Sequence, residues 1–377
     1  MNKKLIVSSI LVFTVAVISL FVFNKEEKGI VEARALHRQF LENSPFKETI
    51  KLSRAERKAL SLPPNAYNER MWELTMNPAT GIPTPYKVKS IATDMLKSAP
   101  GSSSRAWEER GPSNVGGRTR VTFYDPNDIG ANNGDGTDYN RVFAGGVGGG
   151  LWVNNDITDV NSVWTIIPGL AANLNVSAYA IDPNDSMTFY IGTGEQYTAG
   201  AAVGNGLYKT IDGGSSWVEV PITPAGPGNL NAPSNLFTAG IFFITDVIVW
   251  DNNGSSEVFV GVGSTIYASS NFNISNPNNI LGAQNAGLYR SPDDGTSWSR
   301  IENTSMEYIF GGQSFYVAPN DFEISATNQL YMGTISVPGT NFGGGRLYQS
   351  TDGVNWNLQS TITGGDRIEI AASSTNQ

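Results

Sequence analysis

The chain contains no cysteine, and its 377 residues include a single histidine, His37. The absence of cysteine excludes a fold that is cross-linked by disulfide bonds, so core burial and turn chemistry must stabilise the protein. One imidazole with no cluster of carboxylates around it is a poor set of metal ligands. We therefore expect His37 to lie on a solvated helix face, and we expect no metal or cofactor.

Charged residues are scarce, and basic ones are in the minority. Only 16% of the residues are charged, and 25 basic side chains stand against 34 acidic ones, which gives a formal net charge of -9. A surface of this sign repels phosphate backbones and anionic lipid, so a nucleic-acid partner is not expected. The 41 glycines and 19 prolines suit many tight turns between short strands. This composition predicts an all-β protein.

An uncharged apolar run extends from Leu5 to Phe23, directly after two lysines. This pattern is typical of a secretory signal peptide, or of a membrane anchor that is not cleaved. Either interpretation of residues 1–23 predicts that the rest of the chain is exported, and is secreted or held at the outer cell surface. We expect membrane contact only through this segment, if it stays uncleaved.

Residues 24–104 form a helical and linker region in this interpretation. Ser53 followed by Glu56 is a capping-box signal for a helix start, and two consecutive prolines from Pro63 end that helix. The remaining region, residues 105–377, carries the repeats described next.

One phrase occurs three times in this region: an apolar strand with a Leu-Tyr pair, and then a turn that contains Asp, Gly and Trp. It begins at Gly206, at Gly287 and at Arg346. Two further apolar segments precede each phrase and one strand follows it, so each unit comprises four short antiparallel strands. Four such strands describe one blade of a β-propeller.

Two other segments fit the same four-strand pattern. Residues 120–166 form an earlier unit without the turn phrase, and a fifth unit begins at Arg367, where the sequence echoes residues 323–329. We predict a partial propeller of four blades plus the start of a fifth. Because a propeller must close to hide its strand edges, we expect the chain to be part of a longer protein. Residues 221–237 and 269–286 are predicted loops on a propeller face, where binding surfaces concentrate.

The turn phrase is the Asp-box, Ser/Thr-x-Asp-x-Gly-x-x-Trp. In it the Asp carboxylate accepts backbone N–H bonds across a hairpin, the glycine allows a positive φ, and the Trp folds back onto apolar side chains. We predict a structural role at the propeller periphery and assign no catalytic residue. The box residues are Thr210, Asp212, Gly214 and Trp217 in the first copy, Ser291, Asp293, Gly295 and Trp298 in the second, and Ser350, Asp352 and Trp356 in the third, which is one residue short.

Three other patterns suggest binding or catalysis. In residues 133–138, side chains with oxygen atoms alternate with glycines, as they do in calcium-binding loops. The segment lacks the ligand spacing of such a loop, so we expect a solvated turn. Residues 145–150 are glycine-rich without the Lys-Ser/Thr of a phosphate loop, and close backbone packing near the axis is expected. Glu195, Asp182 and Asp246 lie at strand ends, where a pair of carboxylates could support glycoside hydrolysis.

With these motifs, the region from about residue 105 resembles the Asp-box (BNR-repeat) propellers, a group that includes sortilin-type domains, sialidases and xyloglucan-degrading endoglucanases. Residues 72–78, 107–120 and 144–152 are also similar to large exported surface proteins of gliding bacteria, which are often described as sortilin-like. The resemblance implies a propeller on an exported, sortilin-like protein.

The enzymes of this group differ from the chain at their catalytic motifs. The endoglucanases place a catalytic Asp in an Ala-Arg-Thr-Asp-x-Gly-Gly segment, whereas the matching residues 144–150 contain no carboxylate. Sialidases carry an Arg-Ile-Pro segment, which is missing here, and an arginine triad, of which Arg118 and Arg120 are two candidates. These departures predict a non-catalytic scaffold that binds an extracellular protein or glycan. The alternative is a glycoside hydrolase of xyloglucanase or sialidase type, and a membrane-anchored assembly factor is a third possibility.

Overall fold

The computed structural model describes residues 118–128, 139–167, 170, 175–197, 202–222, 240–266, 280–310, 313–337 and 342–373, together with residues 35, 53, 55–56, 76–77 and 82–83 of the N-terminal part. The chain divides into two compact units, residues 1–88 with 268–272 and residues 89–267 with 273–377. The predicted export segment, His37, the paired prolines and the calcium-like residues 133–138 lie outside the described residues.

In the first unit, the capping box has the geometry that the sequence predicts. The backbone N–H of Ser53 donates to Glu56 Oε2 at 2.8 Å, and the N–H of Glu56 donates to Ser53 Oγ at 3.3 Å. Two short strands, β1 (Met76–Asn77) and β2 (Ile82–Pro83), pair antiparallel. None of the helices within the described part of the chain is long and apolar enough to cross a membrane.

The second unit is built from four-stranded antiparallel sheets whose strands follow one another in chain order. Sheet 1 comprises β3 (Thr119–Tyr124), β4 (Val142–Gly146), β5 (Gly150–Asn154) and β6 (Thr165–Ile166), and sheet 2 comprises β7 (Val176–Ile181), β8 (Phe189–Thr193), β9 (Leu207–Thr210) and β10 (Val218–Val220). Sheet 3 comprises β11 (Ile244–Asn252), β12 (Ser255–Val262), β15 (Gly287–Ser291) and β16 (Ser299–Arg300), with the short hairpin of β13 (Thr265–Ile266) and β14 (Ile280–Leu281) inserted within it. The hairpin of β17 (Glu307–Phe310) and β18 (Gln313–Tyr316) follows, and then sheet 4 with β19 (Ala318–Ile324), β20 (Leu330–Ile335), β21 (Arg346–Ser350) and β22 (Asn357–Thr361).

The hydrophobic core lies between successive sheets. One buried cluster joins sheets 1 and 2, a second joins sheets 2 and 3, and a third joins sheets 3 and 4. Strand β8 is buried along its whole length, because its sheet is covered on both faces. Face-to-face packing of consecutive four-stranded sheets is consistent with a β-propeller, as the repeats predict. The all-β prediction is confirmed.

A glycine recurs where each second strand meets the next sheet. A Cβ on Gly145, Gly192 or Gly261 would lie under 3.0 Å from the first strand of the following sheet, and one on Gly333 would meet Ile368 in the same way. Any larger residue would push the sheets apart, since cores are close-packed. The glycines therefore mark the approach of consecutive sheets, which explains why they repeat with the unit.

The predicted fifth unit is only started among the described residues. Arg367 forms an isolated antiparallel bridge with Ile335, and the N–H of Ile368 donates to Thr334 O at 3.1 Å. The hairpin β17–β18 was not predicted from the sequence, because it falls between two repeat units and carries no part of their pattern.

Candidate active site at the loop end

The sheets present two different ends. In a meander, the connections between first and second strands and between third and fourth strands share one end, which we call the turn end. The connections between second and third strands and between sheets share the other, which we call the loop end. Contacts join neighbouring units at each end: Asn127 Nδ2 donates to Ser186 O at the turn end, and Gly204 N donates to Phe242 O at the loop end.

The first two Asp-boxes close turns at the turn end. Asp212 Oδ1 accepts the N–H of Ser216 at 2.8 Å, and Asp293 Oδ1 accepts that of Ser297 at 2.7 Å. The Ser216 hydroxyl, followed by the Thr210 hydroxyl, holds the pKa of Asp212 at about 2, so the carboxylate stays ionised in its turn. The indole N–H of Trp298 donates to the carbonyl of Gly295 in the same box at 3.1 Å.

The third Asp-box is distorted by its missing residue. Asp352 Oδ1 accepts the N–H of Asn355, three residues on instead of four, at 2.7 Å. The pKa of Asp352 is lowered to about 2, chiefly by its hydrogen bond to the Asn355 side chain. The buried indole nitrogen of Trp356 has no hydrogen-bond partner among the described residues. The third box is one residue shorter than the other two. Its carboxylate still accepts hydrogen bonds, but its indole N–H has no acceptor within the described part of the chain.

Each box also covers the preceding sheet. Gly214 lies against Phe143, Gly295 against Val220 and Tyr190, and Gly353 against Phe259 and Trp250. These contacts favour a structural role for the boxes, which stays a prediction for mutagenesis to test.

The three carboxylates singled out in the sequence do not come together. Asp182 lies at the turn end, where its Oδ1 accepts the N–H of Asn184 at 2.8 Å and the hydroxyl of Ser256 at 2.6 Å. Glu195 and Asp246 lie at the loop end, at the end of sheet 2's second strand and the start of sheet 3's first strand. A site that uses Asp182 together with the other two is therefore excluded.

Charged and aromatic side chains meet at the loop end, where the first strands of the sheets begin. We call the set Arg118, Arg120, Glu195, Tyr197, Asp246, Asp321 and Arg367 the axial cluster. Arg118 forms an ion pair with the buried Glu195. The guanidinium carbons of Arg120 and Arg367 lie 4.1 and 4.6 Å from the centroid of the Tyr197 ring. Both guanidiniums therefore lie within cation–π distance of the same ring.

Asp246 and Asp321 occupy matching positions in sheets 3 and 4. Asp246 Oδ2 accepts the N–H of Phe322 at 2.7 Å, and Asp321 Oδ2 accepts that of Ile370. Burial raises the pKa of Asp246 to about 8, and the negative charges of Asp321 and Glu323 add to this effect. Burial also raises the pKa of Asp321, while the N–H of Ile370 and then Arg367 and Arg120 oppose the shift.

This arrangement brings two carboxyls with raised pKa values to the loop end. Asp246 has a pKa of about 8, and two guanidiniums near Asp321 oppose the rise that burial causes in the pKa of that carboxyl. Glycoside hydrolysis uses a pair of carboxyls, one as acid and one in its ionised form. Within the described residues, no group of three or more His, Asp or Glu side chains is placed to hold a metal ion.

Some members of the axial cluster were missed in the sequence. Asp321 had a usable signal, because it aligns with Asp246 when the repeats are superimposed. Tyr197 and Arg367 had none, since their partners come from distant units. Residues 144–150, the segment compared with the endoglucanase motif, contain no carboxylate. Within this segment Val147 lies in a tight turn and donates its N–H to Arg118 O at 2.9 Å. The turn therefore lies beside the axial cluster but adds no acidic side chain to it.

Comparisons with known proteins find xyloglucanases among the sequence relatives of the chain. No protein-family model matches the chain. A xyloglucanase of Acetivibrio thermocellus is 24% identical over 220 residues, which cover 52% of this chain and 21% of the relative. A xyloglucanase of a Paenibacillus species is 24% identical over 189 residues, covering 49% of this chain and 14% of the relative. The chain thus spans about a fifth or less of the length of the curated relatives it matches.

Similar solved structures include an ancestral GH74 enzyme, 16% identical with a TM-score of 0.42, covering 69% of this chain and 28% of that one. The GH74 enzyme of Niastella koreensis is 19% identical with a TM-score of 0.35, covering 66% and 30%. YCF48 from Cyanidioschyzon merolae is 12% identical with a TM-score of 0.33, covering 62% and 56%.

The predicted non-catalytic scaffold is wrong on this comparison, because the curated sequence relatives are xyloglucanases. The prediction relied on two absences, the missing carboxylate of residues 144–150 and the missing Arg-Ile-Pro segment of sialidases. These absent motifs were given more weight than the similarity of the surrounding half of the chain. The hydrolase alternative fits these relatives better. The finer sortilin-like assignment stays a prediction.

Proposed function

We propose that the chain forms part of an exported glycoside hydrolase that carries an Asp-box β-propeller and cleaves xyloglucan-type β-glucans. The observation that carries the proposal is the sequence similarity to two xyloglucanases over about half of the chain. Export is proposed from the apolar run at residues 1–23. The partner is then an extracellular glycan.

The proposed site is the axial cluster at the loop end. Asp246 acts as the general acid, since it holds a proton at neutral pH and can donate it to the leaving-group oxygen. Asp321, which lies near Arg120 and Arg367, is the second carboxyl of the proposed pair. Each carboxyl also accepts a backbone N–H from the following unit through Oδ2, Asp246 from Phe322 and Asp321 from Ile370. An Asp→Asn variant keeps an acceptor for that bond, so it tests the proton without removing the link.

The experiment measures the release of reducing sugars from xyloglucan by the full chain and its variants. We expect Asp246→Asn and Asp321→Asn each to lower kcat by about 100-fold or more. Asp182→Asn is the matched control, because its carboxylate lies at the turn end and its substitution should leave kcat unchanged. Activity of the unsubstituted protein should fall as the pH rises through about 8, where Asp246 loses its proton.

Sialylated glycans belong in the same assay. Arg367 brings a third guanidinium to the loop end that carries Arg118 and Arg120, and sialidases need three. Turnover of sialylated glycans but not xyloglucan would replace the proposed substrate class. A folded protein that cleaves neither glycan would refute the proposed hydrolase activity. Full activity of Asp246→Asn on xyloglucan would refute the assignment of Asp246 as the general acid.

A further inference from the structure

One aromatic ring at the loop end connects charged side chains from distant parts of the chain. Tyr197 follows the second strand of sheet 2, Arg120 lies in β3 of sheet 1, and Arg367 follows the last strand of sheet 4. The guanidinium carbons of the two arginines lie 4.1 and 4.6 Å from the centroid of the Tyr197 ring. Both distances are in the range of a cation–π contact, so a single ring contacts two cations.

The hydroxyl end of Tyr197 is held as well. The hydroxyl donates to Thr245 O at 3.4 Å, and Thr245 directly precedes Asp246 in sheet 3. Burial raises the pKa of Tyr197, and the charge of Arg120 and its hydrogen bond to the hydroxyl oppose this rise. Contacts from sheets 1 and 3 therefore fix the orientation of the ring.

The backbone around Arg367 is tied to the strand that carries Asp321. Asp321 Oδ2 accepts the N–H of Ile370. The neighbouring Asn320 donates from Nδ2 to Ile368 O at 2.8 Å. These bonds fix the main chain on both sides of residue 369, but they do not fix the long side chain of Arg367. The contact with the aromatic ring supplies that constraint.

Several charged groups act on Asp321. Burial raises the pKa of Asp321, and the N–H of Ile370, followed by Arg367 and Arg120, opposes the rise. Arg367 is also ion-paired with Glu369, so a second carboxylate competes for its guanidinium. The charged groups near Asp321 come from β3, from β11, from its own strand β19 and from the segment after sheet 4, and they are Arg120, Asp246, Glu323, Arg367 and Glu369.

The position of the two guanidiniums therefore determines the positive charge that Asp321 experiences. An arginine side chain carries about 2 kcal/mol of rotamer entropy, so an unsupported guanidinium samples many positions. Its attraction to a carboxylate weakens as the distance grows. We propose that Tyr197 is a positioning residue, whose ring holds the guanidiniums of Arg120 and Arg367 beside Asp321. The proposal rests on the hydrolase assignment for the catalytic role of Asp321, whereas the placement of the guanidiniums does not depend on it.

The test removes or keeps the ring in the full chain. Tyr197→Leu and Tyr197→Met both remove it, and either variant is sufficient if it folds, whereas Tyr197→Phe keeps the ring. Tyr316→Leu is the matched control. The Tyr316 ring also carries a guanidinium, that of Arg300 at 5.0 Å, but Arg300 is not among the charges that shift the pKa of Asp321. Carboxyl carbon NMR measures this pKa, and the loss of a signal in Asp321→Asn identifies it.

We expect the pKa of Asp321 to rise in the two variants without the ring and to keep its original value in Tyr197→Phe and Tyr316→Leu. Arg120→Gln should raise the same pKa in the unsubstituted protein but change it little in Tyr197→Leu, because residues that act together are not additive. On xyloglucan, loss of the ring should lower kcat at pH 5 by about tenfold. This loss should shrink as the pH rises, since the second carboxyl of the pair works in its ionised form.

The NMR titration distinguishes a failed inference from a failed hydrolase assignment. An unchanged pKa of Asp321 in a folded variant without the ring would overturn the positioning role, whether or not xyloglucan is cleaved. A raised pKa without turnover by any variant would support the positioning role and refute the hydrolase. If Tyr197→Phe behaved like Tyr197→Leu, the hydroxyl would act in place of the ring, and the proposal would also be overturned. Lower stability with an unchanged pKa and pH profile would reveal a purely structural role.

Discussion

Gly192 lies directly against the side chain of Ile244, where the second strand of sheet 2 meets the first strand of sheet 3. A Cβ on residue 192 would be closer to Ile244 Cβ, at 2.7 Å, than real Cβ atoms come to their neighbours. Ile244 is fully buried, so it has no free space into which to move. The spacing of these two sheets is therefore set by the absence of one methyl group.

The first prediction is that Gly192→Ala destabilises the protein by about 1 to 3 kcal/mol, since an extra methyl in a packed core forces strain. Urea denaturation measures the loss. Gly149→Ala is the control, because the nearest atom to its added Cβ is 3.9 Å away, and its stability should be unchanged. Equal stability of the two variants would show that the sheets can separate without cost.

The second prediction concerns the tryptophans of the Asp-boxes. Trp298→Phe removes an indole N–H that donates to Gly295 O at 3.1 Å, whereas Trp356→Phe removes an N–H that is buried without a partner in the described structure. Both changes lose similar ring volume, so their difference isolates the hydrogen bond. We expect Trp298→Phe to cost about 1 kcal/mol more than Trp356→Phe in the free energy of unfolding.

Trp217→Phe serves as a second test of this interpretation. Its indole donates to Gly214 O at 3.2 Å, so this variant should behave like Trp298→Phe. If all three variants lost the same stability, the hydrogen bond within the box would contribute nothing and the box would act through packing alone.

The units of the fold could be predicted from the sequence because their signals are local. Strand β4 lies within the predicted unit of residues 120–166, and β20 is one of the apolar segments predicted before the phrase that begins at Arg346. Alternating apolar residues and Asp-Gly turns determine such elements over a few residues. The third Asp-box was recognised as one residue short, and its hydrogen bonds shift by one position accordingly.

The candidate site could be predicted only in part, because it is assembled from distant units. Asp182 and Asp246 were grouped as strand-end carboxylates, but strand ends alternate between the two ends of a meander, and the grouping ignored this. The contact of Tyr197 with Arg367 joins residues 170 positions apart in the chain, and no local pattern announces it. Position in the repeat was a better guide than proximity to a strand end.

The third prediction is that Tyr190→Phe destabilises the protein by about 1 kcal/mol. The buried Tyr190 hydroxyl donates to Asp294 O at 3.0 Å and also contacts the Asp294 carboxylate, to which Lys209 is ion-paired. This bond joins sheet 2 to the Asp-box turn of sheet 3. Thermal unfolding of Tyr190→Phe, Asp294→Asn and the double variant measures the coupling. A double variant whose loss is the simple sum of the single losses would exclude an energetic link between the sheets.

The fourth prediction uses the pH dependence of stability. Asp246 has a pKa of about 8 in the folded protein, whereas an unfolded Asp has a pKa of about 3.9. Between these values the folded state binds a proton that the unfolded state has lost, so the free energy of unfolding falls as the pH rises. Asp246→Asn cannot ionise, and it keeps an acceptor for Phe322 N. Its stability relative to the unsubstituted protein should therefore increase steadily from pH 5 to pH 8.

Urea midpoints at one-unit intervals across this range test the prediction, with Asp212→Asn as the control. The pKa of Asp212 is lowered to about 2 by its hydrogen bonds, so folded and unfolded states are both ionised above pH 5. The cost of Asp212→Asn should then be the same at pH 5 and pH 8. A stability difference for Asp246→Asn that is equally flat would mean that Asp246 is already ionised at pH 5 in the folded protein, and the residue could not then serve as the proton donor at neutral pH.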